Sequence, residues 1–136
     1  MPQEILDILV VDDQPGVRYL LDIVINESGH KAHTAQNGLE AVDMAHSIRP
    51  DLIFMDVRMP IMGGLEALAK IKPLVPESGV IIMTAYGSDE TIEEAKNLGA
   101  LGCMAKPFDI NDIKNFIQDY ARKNLRQEIF YWANAI

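Results

Sequence analysis

The sequence predicts an α/β domain: a single five-stranded parallel sheet in the order 2-1-3-4-5, with helices on both faces. Three observations predict it. Five short runs rich in branched apolar residues alternate with segments of helical period, the pattern of successive βα units. The inner runs are almost wholly apolar, which suits strands buried on both faces. Right-handed crossovers then leave few topologies, among which 2-1-3-4-5 is favoured.

Each element has its own local cause. Ile5 to Val11 reads as a buried strand. Pro15 suits the first turn of a helix, and Val17, Leu20, Leu21, Val24 and Ile25 recur at helical spacing until Gly29 stops them. His30 to Ala35 is a shorter, more polar strand, as an edge strand would be. Asn37 caps a helix running to about Ser47, with Pro50 beyond it. Leu52 to Met55 is a third strand. After Pro60 and the Gly63-Gly64 pair, Leu65, Leu68 and Ile71 mark a helix ending near Pro73. Val80 to Met83 is a fourth strand, and Ser88 caps the helix after it. Ile92, Ala95 and Leu98 give that helix only a thin apolar stripe, which predicts weak docking and mobility. Leu101 to Ala105 is the fifth strand, and the last helix starts near Asp109.

Residues 1–124 are expected to form this domain and residues 125–136 a helical extension. In that extension Leu125, Ile129, Trp132 and Ile136 recur at spacings of four, three and four. Two courses are open to the stripe. It lengthens the last helix past the domain body and pairs with a second copy, or it folds back on the chain's own surface.

Composition narrows the class. The 136 residues suit one domain with one core, and 49% hydrophobic with 24% charged residues is ordinary globular usage. No apolar run approaches the roughly 20 residues that span a bilayer. The amino-terminal Met-Pro-Gln-Glu shows no basic region leading into an apolar stretch, so no secretory signal is predicted. One cysteine, Cys103, excludes an internal disulfide and a multi-cysteine zinc site. These features predict a cytoplasmic protein without a membrane partner. The net charge of -8 argues against nucleic acid, and Arg122, Lys123 and Arg126 read as a solvated helix face.

In open α/β sheets chemistry gathers outside the carboxyl ends of the strands, near the point where strand order reverses. Asp12 and Asp13 follow strand one, Asp56 closes strand three, Thr84 closes strand four and Lys106 closes strand five. The strand order brings these five polar residues to one edge. Each alone has a plainer reading. Asp12 or Asp13 suits a helix cap, Asp56 a loop carboxylate before Pro60, Thr84 a β-branched strand residue, and Lys106 a solvated lysine before Pro107. Their joint position favours a site. Three crowded carboxylates repel one another, and a hard cation such as Mg2+, needing few protein oxygens, relieves the repulsion. A carboxylate can act as a nucleophile towards phosphorus. The metal and a lysine then neutralise phosphoryl oxygens, and a hydroxyl donates to another.

Val10-Val11-Asp12-Asp13-Gln14, Asp56-Val57-Arg58-Met59-Pro60 with Gly63-Gly64, Thr84-Ala85 and Lys106-Pro107-Phe108 together resemble the receiver domain of response regulators. The resemblance covers about residues 5–123. It implies a flavodoxin-like fold and a phosphoacceptor of two-component or phosphorelay signalling, with magnesium-dependent self-phosphorylation and autodephosphorylation. It implies that Asp56 is phosphorylated from a sensor histidine kinase. Asp13, Asp56 and the Arg58 backbone carbonyl would hold magnesium, with Asp12 acting through water. Lys106 would pair with the phosphoryl group, Thr84 would bond it, and the Lys106–Pro107 peptide would be cis. One position departs from the family. The place three before the lysine commonly holds an aromatic ring or histidine that couples phosphorylation to the output face, and here it is Cys103. A small side chain does not swing as a ring does, and the plainer reading of Cys103 is a buried apolar residue.

Two functional readings stay open. In one the group passes from a kinase histidine to Asp56 and on to a histidine phosphotransferase. In the other phosphorylated Asp56 changes a surface for a downstream target protein. Arg58 and Tyr86, two residues beyond Asp56 and Thr84, are placed to flank the phosphoryl group and obstruct water. A haloacid-dehalogenase-type phosphatase needs an acid where Arg58 stands, no GxxxxGK[ST] loop occurs, and His30 and His33 face opposite sides of a strand.

Overall fold

The computed structural model describes residues 4–85, 88–123 and 131–133. Five strands and five helices alternate: β1 Asp7–Val11, α1 Pro15–Glu27, β2 Lys31–Ala35, α2 Gly38–Ile48, β3 Leu52–Asp56, α3 Gly64–Leu74, β4 Gly79–Thr84, α4 Asp89–Asn97, β5 Gly102–Ala105 and α5 Ile110–Lys123. A short β6, Tyr131–Ala133, follows. The sheet order is β2-β1-β3-β4-β5-β6, and every pairing is parallel. The five predicted strands stand in the predicted order, with a sixth added beside β5.

Side chains alternate across each inner strand, so the sheet is buried on both faces. Ile8, Val10, Leu52, Phe54, Ile81, Met83 and Met104 face α1 and α5. Leu9, Val11, Ile53, Met55, Val80, Ile82 and Cys103 face α2, α3 and α4. On the first face Phe116 meets Phe54 edge-on at 6.3 Å and stacks on Tyr120 at 5.9 Å. Buried Tyr120 donates its hydroxyl to the Asp51 carbonyl at 2.9 Å, so its polar end is satisfied. Ala95 is the only buried residue of α4, the thin docking its sequence suggested.

The helix boundaries have the expected causes. Pro15 sits in the first turn of α1, and beyond the helix Gly29 has φ 88°, a conformation glycine adopts freely. Asn37 Oδ1 accepts the Glu40 amide at 2.9 Å to cap α2, and Ser88 caps α4 through the Thr91 amide at 3.1 Å. His30 and His33 have separate partners: Nδ1 of His30 accepts the Leu6 amide, and His33 Nε2 lies 3.0 Å from Asp7.

Where it is described, the extension takes the second of its two open courses, folding back on the chain, but as a strand. Residues 131–133 form this strand on the chain's own sheet. Tyr131 and Trp132 belong to the residue types enriched in strands, and the edge of β5 offers unpaired backbone groups for them to meet. The rest of the apolar stripe, Leu125, Ile129 and Ile136, lies outside the described residues. Among the described residues no helix is long and apolar enough to cross a membrane.

Candidate functional site

The parallel register carries all the strand ends to the same side of the sheet. β1 ends at Val11, so Asp12 leaves the sheet beside β3, whose last residue is Asp56. Met83 is the register partner of Asp56, and Thr84 that of Ala105, which places Lys106 one residue further along. The Lys106 amide donates to the Thr84 carbonyl at 2.9 Å, tying the two strand ends together. The Lys106–Pro107 peptide is cis.

Asp12 is fully buried and serves two tasks. Its Oδ1 accepts the Gln14 amide at 2.9 Å, and its Oδ2 lies 2.7 Å from Lys106 Nζ. Asp12 does not cap α1, whose N-cap is Gln14 without a side-chain cap bond; one oxygen closes the turn before the helix and the other faces Lys106. Lys106 Nζ also lies 3.4 Å from Asp56 Oδ1, so one ammonium bridges two carboxylates. Asp12, Asp13 and Asp56 bring carboxylate oxygens within 4.8 Å of one another. Asp12 and Asp56 are buried while Asp13 faces solvent. Asp13 and Asp56 open on a cleft of about 350 Å³, lined also by Gln14, Val57, Arg58, Thr84, Ala85 and Lys106.

The charges are strongly coupled. Burial raises the Asp56 pKa above its ordinary value, and the neighbouring Asp12 charge raises it further, against the pull of Lys106. For Lys106, burial works downward, but the hydrogen bond to Asp12 and the charges of Asp56 and Asp12 outweigh it. Its pKa ends raised, and the ammonium stays charged. Hard oxygen donors and excess negative charge at one point fit a small divalent cation.

Sequence reasoning named Asp12, Asp13, Asp56, Thr84 and Lys106, and the fold brings all five together. Arg58 lines the cleft, whereas Tyr86 lies outside the described residues. Cys103 is buried on the α4 side of the sheet, and burial pushes its thiol up to about 11, so it is no thiolate at neutral pH. Two contributors were missed. Arg18 Nη1 donates to the Asp12 carbonyl at 2.6 Å, which fixes the turn carrying Asp12 and Asp13. Its signal was a cation in the first turn of α1, where an anion suits the dipole better. Gly64 packs its α-carbon against the Asp56 backbone, where any Cβ would overlap the carbonyl oxygen. The pair Gly63-Gly64 announced a turn but not this contact.

Comparison with known proteins agrees with the geometry. The family model described as "Response regulator receiver domain" matches residues 8–118. The chain is 47% identical over 113 residues to sporulation initiation phosphotransferase F of Bacillus subtilis, covering 83% of this chain and 91% of that protein. It is 35% identical over 130 residues to the regulatory protein AtoC of Escherichia coli, covering 95% of this chain but 28% of that one. Among solved structures, the Vibrio cholerae chemotaxis protein CheY4 superposes with a TM-score of 0.79 at 29% identity, over 85% of this chain and 98% of that one. With a family match over most of its length, a close relative and the shared flavodoxin-like fold, the chain belongs to the response regulator receiver domains.

Proposed function

We propose that Asp56 accepts a phosphoryl group from the phosphohistidine of a sensor histidine kinase and passes it to a histidine phosphotransferase. The observation that carries this reading is Lys106 Nζ, held between Asp12 at 2.7 Å and Asp56 at 3.4 Å at the mouth of the cleft. An Asp56 oxygen attacks phosphorus; the O–P bond forms as the N–P bond to the histidine breaks, and the electron pair leaves on the ring nitrogen. Lys106 neutralises phosphoryl oxygens as their charge develops, and the Thr84 hydroxyl donates to another. Asp13, Asp56 and the Arg58 carbonyl would hold Mg2+, with Asp12 acting through water. Bound there, the ion offsets carboxylate repulsion and polarises the phosphoryl group. A cytoplasmic setting suits such a relay.

Two experiments test the reading. Intact mass after incubation with a phosphorylated kinase and magnesium should show one added phosphoryl group, absent in Asp56→Asn. Label retained by Asp56→Asn would sink the assignment. Mixing the labelled protein with histidine phosphotransferases then separates relay from switch, because a relay returns the label to histidine while a switch only loses it to water. The switch reading draws on the thin docking of α4, where Ala95 is the only buried residue, and on AtoC, a much longer relative.

Arg58 lines the cleft, and Tyr86 stands two residues past Thr84. Obstruction of water by these side chains predicts faster loss of the phosphoryl group in Arg58→Ala and Tyr86→Ala. Release of inorganic phosphate measures it, and unchanged rates reject the role. Self-association through residues 125–136 is a competing reading of the tail, and an unchanged sedimenting mass in the chain truncated after Asn124 rejects it.

A further inference from the structure

The family model matches residues 8–118, and the sixth strand, β6 at Tyr131–Ala133, stands outside that stretch. What this strand covers follows from the two edges of the five-stranded sheet. Exposed edges invite other strands, and proteins blunt them with charge, proline or bulges. β2 carries exposed Lys31 and Thr34 and a half-buried His33. β5 reads Gly102-Cys103-Met104-Ala105, with no charged residue, no proline and three of its four residues buried. The unprotected edge is the one that has gained a cover. Tyr131, Trp132 and Ala133 stand in register with Gly102, Cys103 and Met104.

We propose that the outer edge of β5 is a strand-accepting interaction surface whose occupant is the chain's own segment 131–133, added in cis. An extended segment of a partner protein would pair with the same backbone groups and must displace the tail. A three-residue strand is short beside the usual five or six, so the cover is exchangeable rather than permanent. β5 runs straight into Lys106, so a partner strand at this edge would lie next to the strand that delivers the cleft's cation.

Amide hydrogen exchange on the full chain tests this. In Trp132→Pro the substituted residue lacks a backbone donor and its φ is fixed. Residues 102–105 should exchange about 10-fold faster or more in the variant, with β1 and β3 unaffected. A synthetic peptide of residues 127–136 should restore slow exchange to the variant and leave the unaltered chain as it was. Unchanged exchange in Trp132→Pro overturns the proposal, and so does a peptide that protects neither protein or protects both equally. Sedimentation should give a monomer for the unaltered chain. A dimer that Trp132→Pro dissociates would make the occupant a second copy and overturn the assignment in cis.

Discussion

His30 shows how a single residue outside the site ties stability to pH. Its imidazole is buried, and Nδ1 accepts the Leu6 amide, a role open only to the unprotonated nitrogen. Burial lowers its pKa from 6.5, with Asp51 pulling weakly the other way. The unfolded chain therefore takes up a proton more readily than the folded one. Above about pH 6.5 both states are neutral at this position and nothing is lost. As pH falls below that value towards the lowered folded pKa, the folded state loses stability. Denaturant unfolding between about pH 7.5 and pH 5 should show a steeper decline for the unaltered chain than for His30→Gln. Parallel declines would show that His30 does not carry the effect. Among the described residues the two buried carboxylates, Asp12 and Asp56, both lie within reach of Lys106 Nζ, at 2.7 and 3.4 Å.

At the scale of elements, the join between β3 and α3 sets the precision of the site. Asp56 ends β3, and α3 starts at Gly64 after a loop that returns to the strand. The Gly64 amide donates to the Val57 carbonyl at 2.8 Å, and its α-carbon rests on the Asp56 backbone. A methyl group there meets backbone, which cannot rotate away. Gly64→Ala should cost about 1–3 kcal/mol and displace Asp56. Thermal unfolding measures the first effect, and the rate of phosphorylation by a small phosphodonor measures the second. A variant with the stability and rate of the original would show that the loop absorbs the methyl. This contact was not legible in the sequence, where the two glycines indicated only a turn. The caps Asn37 and Ser88 were legible, because a cap joins residues three apart and needs no tertiary partner.

Across the whole molecule, the sheet gathers the carboxylates of Asp12, Asp13 and Asp56 into one cluster and brings Lys106 against it. If Mg2+ binds the folded chain alone, an excess about 100-fold above its dissociation constant should stabilise the protein by about 2.7 kcal/mol. Chemical unfolding with and without magnesium reads this directly, and Asp13→Asn should shrink the gain. A gain equal in both proteins would place the ion elsewhere. The sequence by itself determined the βα alternation, the order of the first five strands and the meeting of Asp12, Asp13, Asp56, Thr84 and Lys106 at one sheet edge. The cause is that a parallel sheet sends every strand end the same way, so chain position implies spatial position. Tertiary structure alone decided the sharing of Asp12 between the Gln14 amide and Lys106, the clamp of Arg18 and the fit of Gly64. It also turned part of an expected helix into β6. Helical spacing in the tail was a local signal, whereas the open edge of β5 is a partner that exists only once the sheet has formed.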